Sequence, residues 1–72
     1  MTPQQCRFAR TLLNWSVLDL ADNADLSTET ISGYEAGYEE FMESVIASIQ
    51  VTLEYAGVEF IALDENGVRL RS

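Results

Sequence analysis

The sequence has no histidine and no lysine, one cysteine, one proline and four glycines in 72 residues. Each scarcity closes off some chemistry. Without His and with only Cys6, neither the usual zinc sites nor a Ser–His or Cys–His nucleophile can be assembled within the chain. Gly33, Gly37, Gly57 and Gly67 are isolated from one another, so no glycine-rich loop is present to cradle a phosphate. A lone cysteine cannot form an internal disulfide, which fits a reducing compartment. The N-terminus lacks a basic-then-apolar signal layout, and no apolar run approaches the ~18 residues of a membrane span. These absences lead us to expect a cytoplasmic protein with no membrane partner, no enzymatic activity, no metal and no cofactor.

Positive charge is also scarce, and its placement is uneven. Twelve acidic and four basic residues give a net charge of -8. The basic residues are Arg7, Arg10, Arg69 and Arg71, and all twelve acids fall between Arg10 and Arg69. The middle of the chain therefore presents an anionic surface, which repels phosphate backbones and attracts basic partners. Solubility or adaptation to a salty cytoplasm would give the same bias.

What is present reads as a small helical domain. The composition is 47% hydrophobic and 22% charged, which is globular rather than disordered. Thr2-Pro3-Gln4-Gln5 is a helix start, with Thr2 as cap, Pro3 at the first helical position and Gln5 completing a capping box. Cys6, Ala9, Leu12 and Leu13 follow at helical spacing, and Asn14 suits a left-handed stop. Ser16 and Asp19 form a second capping-box pattern ahead of Val17, Leu20, Ala21 and Ala24. Ser27 opens a third helix, Thr28 to about Ala36, with Ile31 and Tyr34 inward and Gly37 as its stop. The spacing of Phe41, Val45, Ile49, Leu53 and Ala56, with Met42 and Ile46 beside them, predicts a fourth helix from Glu39 to Ala56. From Val58 the period changes to two, and Asn66-Gly67 is a hairpin turn signal. Val58, Phe60, Val68 and Leu70 are the apolar positions of that hairpin. A lone hairpin is marginal in water. It must pack on a helix or pair with another chain, and the second option makes it a dimerisation element. The expected architecture is mostly α: residues 1–57 form a four-helix domain, and residues 58–72 form a C-terminal β-hairpin of that domain. Cys6 and Trp15 are expected in its core.

Two short helices joined by a tight turn, Ser16–Asn23 and Ser27–Ala36, make a helix-turn-helix unit. The residues Arg10, Leu13, Trp15-Ser16, Leu20-Ala21, Ala24, Ser27, Thr30-Ile31, Tyr34-Glu35 and Gly37 together resemble the Cro and phage-repressor (XRE-type) class of bacterial regulators. Leu53 to Phe60 and the later Gly67-Val68-Arg69-Leu70 resemble a subgroup that ends in a hairpin. The resemblance implies a structural ion pair between Arg10 and Glu35. It also implies that Thr28, Glu29, Ser32 and Gly33 face the partner on the third helix, and that the loop at Tyr38-Glu39-Glu40 lies at the same surface. In the family these positions are polar or basic, and a Gln touches phosphate where this chain has Val17. Here Glu29, Glu39, Glu40 and Glu43 are acidic and no position is basic.

Two functional expectations follow. One is a transcription-regulation module that acts through protein contacts, forming a dimer with a related repressor or mimicking DNA toward it. The other is an ordinary homodimeric operator-binding regulator, with Thr28, Glu29 and Ser32 as readers and helix-start N–H groups on phosphate. The missing cations argue against nucleic acid as the partner. A toxin-neutralising module is a third option, but the tail is short for wrapping a partner.

Overall fold

The first helix, α1 (Pro3–Leu12), begins at a complete capping box. Thr2 Oγ1 accepts from the Gln5 N–H at 3.1 Å, and Gln5 Oε1 accepts from the Thr2 N–H at 2.8 Å. Asn14 follows the helix in the left-handed region, at φ 59°. The structure is a computed structural model and describes residues 1–38, 41–61 and 67–71. α2 (Val17–Ala24) starts at a second capping box, Ser16 with Asp19, and stops at Asp25, which is left-handed at φ 58°. Three residues, Asp25, Leu26 and Ser27, then lead into α3 (Thr28–Glu35). Ser27 caps this helix by accepting from the Thr30 N–H. The connection is held by the Leu26 N–H, which donates back to the Ala21 carbonyl at 2.9 Å. α4 (Glu43–Tyr55) is followed by an antiparallel pair of strands, β1 (Val58–Phe60) and β2 (Val68–Leu70). The architecture is thus mostly helical with a small hairpin. No helix among the described residues is long and apolar enough to cross a membrane.

One core unites the elements. Cys6 and Ala9 from α1, Leu20 and Ala21 from α2, Ile31 and Tyr34 from α3, and Ile49 and Leu53 from α4 are all buried together. Small residues at Ala9 and Ala21 let the helices approach closely, which is why the chain can bury a core at this size.

The structure corrects four expectations. α4 begins at Glu43, not at Glu39. Glu39 and Glu40 lie outside the described residues. Phe41 and Met42 precede the helix, Met42 in extended backbone, and the Phe41 ring docks on α3. It meets Tyr34 edge-on, with ring centroids 6.1 Å apart, and lies over Gly33. Met42 is left at the N-cap without a capping side-chain bond and points outward, 71% exposed. Leu12 is at the outer edge of α1 and is exposed rather than core. The hairpin packs on its own chain. Its register pairs Val58 with Leu70, Glu59 with Arg69 and Phe60 with Val68. Val58 and Val68 are buried in the common core and Phe60 packs against it, which leaves Leu70 as the exposed apolar residue of the strands. Val58 and Val68 are thus spent on the chain's own core. Residues 62–66, including Asn66 of the expected turn, lie outside the described residues. Gly67 is left-handed at φ 72°, and its carbonyl receives the Ile61 N–H at 2.7 Å and the Gln5 amide at 3.4 Å, tying the hairpin to α1.

Candidate interaction face

The polar heart of the protein is built by α1 and α3. Glu35 is buried, with its side chain 6% exposed. Arg10 reaches it from α1 in the two-pronged geometry that suits a guanidinium and a carboxylate. Nε donates to Oε2 at 3.0 Å and Nη2 to Oε1 at 2.9 Å. The remaining prong, Nη1, donates to the Trp15 carbonyl at 3.0 Å, which fixes the junction between α1 and α2. The Cys6 thiol donates to Glu35 Oε2 at 3.3 Å. This third bond is not legible in the sequence, because Cys6 and Glu35 are 29 residues apart and a lone cysteine reads only as a small apolar residue.

The electrostatics follow from this packing. Burial, reinforced by the adjacent Glu35 carboxylate, pushes the Cys6 thiol well above its ordinary range and keeps it protonated. The hydrogen bond to Glu35 raises the Arg10 guanidinium above its ordinary value. Burial also raises the Tyr34 phenol, which donates to the Met1 carbonyl at 3.1 Å. Every member of the cluster has a partner within the chain, so it works as a brace between helices and offers nothing to a ligand.

The outward side of α3 differs in character. Thr28, Glu29 and Ser32 are exposed there. Gly33 is not available with them, because a Cβ placed on it would sit 3.0 Å from Phe41 Cζ and 3.5 Å from Tyr38 Cδ2. The residues after α3 therefore fold over this position and replace a readable side chain with aromatic cover. Glu43 is exposed at the start of α4, and Tyr38 is 70% exposed. Asp19, Asp22 and Asp25 are exposed along and just beyond α2.

Two features of this acidic side bear on partners. Helix N-termini attract anions through their unpaired N–H groups and dipole. Here each of the two starts carries its own acid. Asp19 Oδ2 accepts the Ser16 N–H at 2.8 Å, and Glu29 lies in the first turn of α3. The second feature is where the cations are. Arg10 is bound to Glu35, and Arg69 pairs with Glu59 across the strands at 2.9 Å. Arg71 donates to the Glu54 carbonyl near the end of α4 at 2.6 Å, a favourable place for a cation. Among the described residues, Arg7 is the one arginine without an ion pair or side-chain hydrogen bond, and it is exposed on α1. No family model matches the chain, and no curated protein matches it.

Proposed function

We propose that this chain is a helix-turn-helix module of the Cro and phage-repressor type that acts through protein contacts. Its acidic α2–α3 side engages a basic partner in place of DNA. The three-residue connection between α2 and α3, with Thr28, Glu29 and Ser32 outward on α3, supports the helix-turn-helix reading. The observation that carries the choice of partner is the occupancy of the positive groups. Both helix starts carry an acid of their own, and three of the four arginines are held by groups of the same chain.

Magnitude favours protein over DNA. Proteins that bind duplexes gain most of their sequence-independent affinity by neutralising about six to ten phosphates. Arg7, with Arg69 and Arg71 exposed but each engaged by a group of the chain, cannot supply that. A single contact from Glu29 to a cytosine amino group is worth ~1–3 kcal/mol and does not offset the missing anchor. A basic surface, such as the DNA-binding face of a related repressor, meets the acidic side with opposite sign and gains in encounter rate as well as affinity.

The test is fluorescence anisotropy of short mixed-sequence duplexes titrated with the protein at low salt. The expected result is no binding at high protein concentration. Binding that weakens steeply as salt is added would overturn the proposal in favour of an operator-reading homodimer.

A further inference from the structure

The C-terminus of a helix is the negative end of its dipole, and a cation eases it where an acid does not. α2 and α4 both end with the wrong sign. Neither has a basic residue in its last turn. α2 carries Asp22 in that turn and Asp25 just beyond it, and α4 carries Glu54. Arg71 eases the end of α4 by donating to the Glu54 carbonyl. Among the described residues no cationic side chain bonds the end of α2. α2 packs against α4, and their ends meet at a shallow groove of about 410 Å³. Asn23 lines it from α2, Val51, Thr52, Tyr55 and Ala56 from α4, and Trp15 from the junction of α1 with α2. None of these side chains is charged. Trp15, the single tryptophan, is half-buried, and Tyr55 is 89% exposed. The two polar side chains spend protons on their own helices. Asn23 Nδ2 donates to the Asp19 carbonyl and Thr52 Oγ1 to the Ser48 carbonyl, each at 2.8 Å. Thr52 Oγ1 then has only lone pairs left to offer, and Asn23 keeps Oδ1 as an acceptor.

We propose that this groove takes an arginine side chain of a basic partner protein, with the guanidinium against the rings of Trp15 and Tyr55 and its N–H groups donating to Asn23 Oδ1 and Thr52 Oγ1. The groove combines aromatic faces with acceptors, and a flat cation with five N–H groups satisfies both at once. Its potential is negative. Two helix ends converge on it, Asp22, Asp25 and Glu54 stand one or two positions along the chain from its lining residues, and the whole chain carries -8. An apolar occupant would leave the acceptors and the helix ends without a partner. A second copy would bring the same net charge, and three of its four arginines are held by groups of their own chain. Because the groove is shallow, an arginine carried on a protein surface reaches it with no prior opening of the fold. No lining residue belongs to α3, so the site stands whether the outward side of α3 meets protein or DNA.

Trp15 supplies the readout, since all tryptophan fluorescence of the protein comes from this groove. The full chain is titrated at low salt with the peptide acetyl-Gly-Arg-Gly-amide, and in parallel with its citrulline counterpart, which keeps the shape and lacks the charge. The arginine peptide is expected to change the fluorescence saturably, and the citrulline peptide to bind roughly tenfold more weakly. Tyr55→Leu is expected to weaken the arginine peptide about fivefold, while Tyr55→Phe, which keeps the ring, holds wild-type affinity. Both variants should retain the far-UV circular dichroism spectrum, because Tyr55 is 89% exposed. Tyr38→Leu, exposed outside the groove, should bind as the wild type does. A response that never saturates, equal affinity for the two peptides, or an affinity unchanged by Tyr55→Leu overturns the proposal. So does equal binding of acetyl-Gly-Leu-Gly-amide, which would make the groove an apolar site. A change in Trp15 fluorescence with protein concentration alone, before any peptide is added, would make a second copy the occupant and overturns it as well. Duplex binding at low salt would overturn the reading of the α3 face and leave every one of these outcomes unchanged.

Discussion

Replacing Glu35 with glutamine keeps the shape of the side chain and removes its charge. The carboxylate accepts three hydrogen bonds, two from Arg10 and one from Cys6. An amide offers one oxygen and turns an NH2 toward donors, so at least one N–H meets another donor. Arg10 is left charged with its side chain 19% exposed. Breaking one half of a buried pair costs about 3–5 kcal/mol, and the partial exposure of Arg10 places this case at the lower end, about 3 kcal/mol. A chain of 72 residues has a total stability of roughly 4–11 kcal/mol at the usual ~0.05–0.15 kcal/mol per residue. At ~4–8 °C per kcal/mol, the melting temperature of Glu35→Gln should fall by about 12–24 °C. Urea unfolding followed by circular dichroism measures the loss at constant temperature. The double variant Arg10→Leu/Glu35→Leu is the critical control. It removes both charges, and paired apolar replacements of a buried ion pair are often neutral or stabilising. The double variant should therefore lose less than the sum of the single variants by at least ~1 kcal/mol. Additive losses, or a loss below about 0.5 kcal/mol for Glu35→Gln, would mean that the pair does not brace α1 against α3.

Three further outcomes follow from the same geometry. Cys6 has a folded pKa above its unfolded value, so its contribution is complete below about pH 8.5 and is lost as pH rises beyond that, at a limiting slope of about 1.4 kcal/mol per pH unit. Urea midpoints of the wild type should fall from pH 8 to pH 10 more steeply than those of Cys6→Ala, and parallel curves would refute the assignment. Asp25 is left-handed at φ 58° and exposed, so Asp25→Gly should stabilise by up to ~1 kcal/mol, while Asp25→Val should destabilise, both read from thermal melts. If α3 has the placement of a recognition helix, Glu29→Lys combined with Ser32→Arg should create salt-sensitive affinity for duplex DNA, measured by anisotropy, without lowering stability by more than ~0.5 kcal/mol.

The parts of this fold that were legible in the sequence are those decided locally. Thr2 with Gln5, Ser16 with Asp19, and Ser27 mark three helix starts because a hydroxyl must satisfy N–H groups that the helix leaves open. Asn14 marks a stop because few other residues with side chains tolerate a left-handed backbone, whereas the stop of α2 at Asp25, two residues past the expected end at Asn23, was not read. The start of α4 was not legible. Periodicity placed Phe41 on a helix face, but its ring packs on Tyr34 and over Gly33 from the chain before the helix, and only the tertiary fold decides that. The alternation in the hairpin was legible, but not what it faces, because a two-residue period fits a partner chain as well as the chain's own core. In the candidate site, the outward placement of Thr28, Glu29 and Ser32 was what the family resemblance implied, and all three are exposed. The cover over Gly33 and the local engagement of Arg69 and Arg71 did not, since each depends on residues brought together by folding.

Salt gives a separate check on the proposed partner. Treated as point charges about 22 Å apart, the middle dimension of the molecule, two copies of net charge -8 repel by about 12 kcal/mol in unscreened water. With a Debye length of ~30 Å at 0.01 M salt about 6 kcal/mol of this survives, and with ~8 Å at 0.15 M it falls to about 1 kcal/mol. Contact between two copies is therefore suppressed at low salt, whereas contact between the α3 face and a basic partner would gain from the same field and weaken as salt is added. Capture of a basic domain that is indifferent to salt would mean that the acidic side does not make the contact.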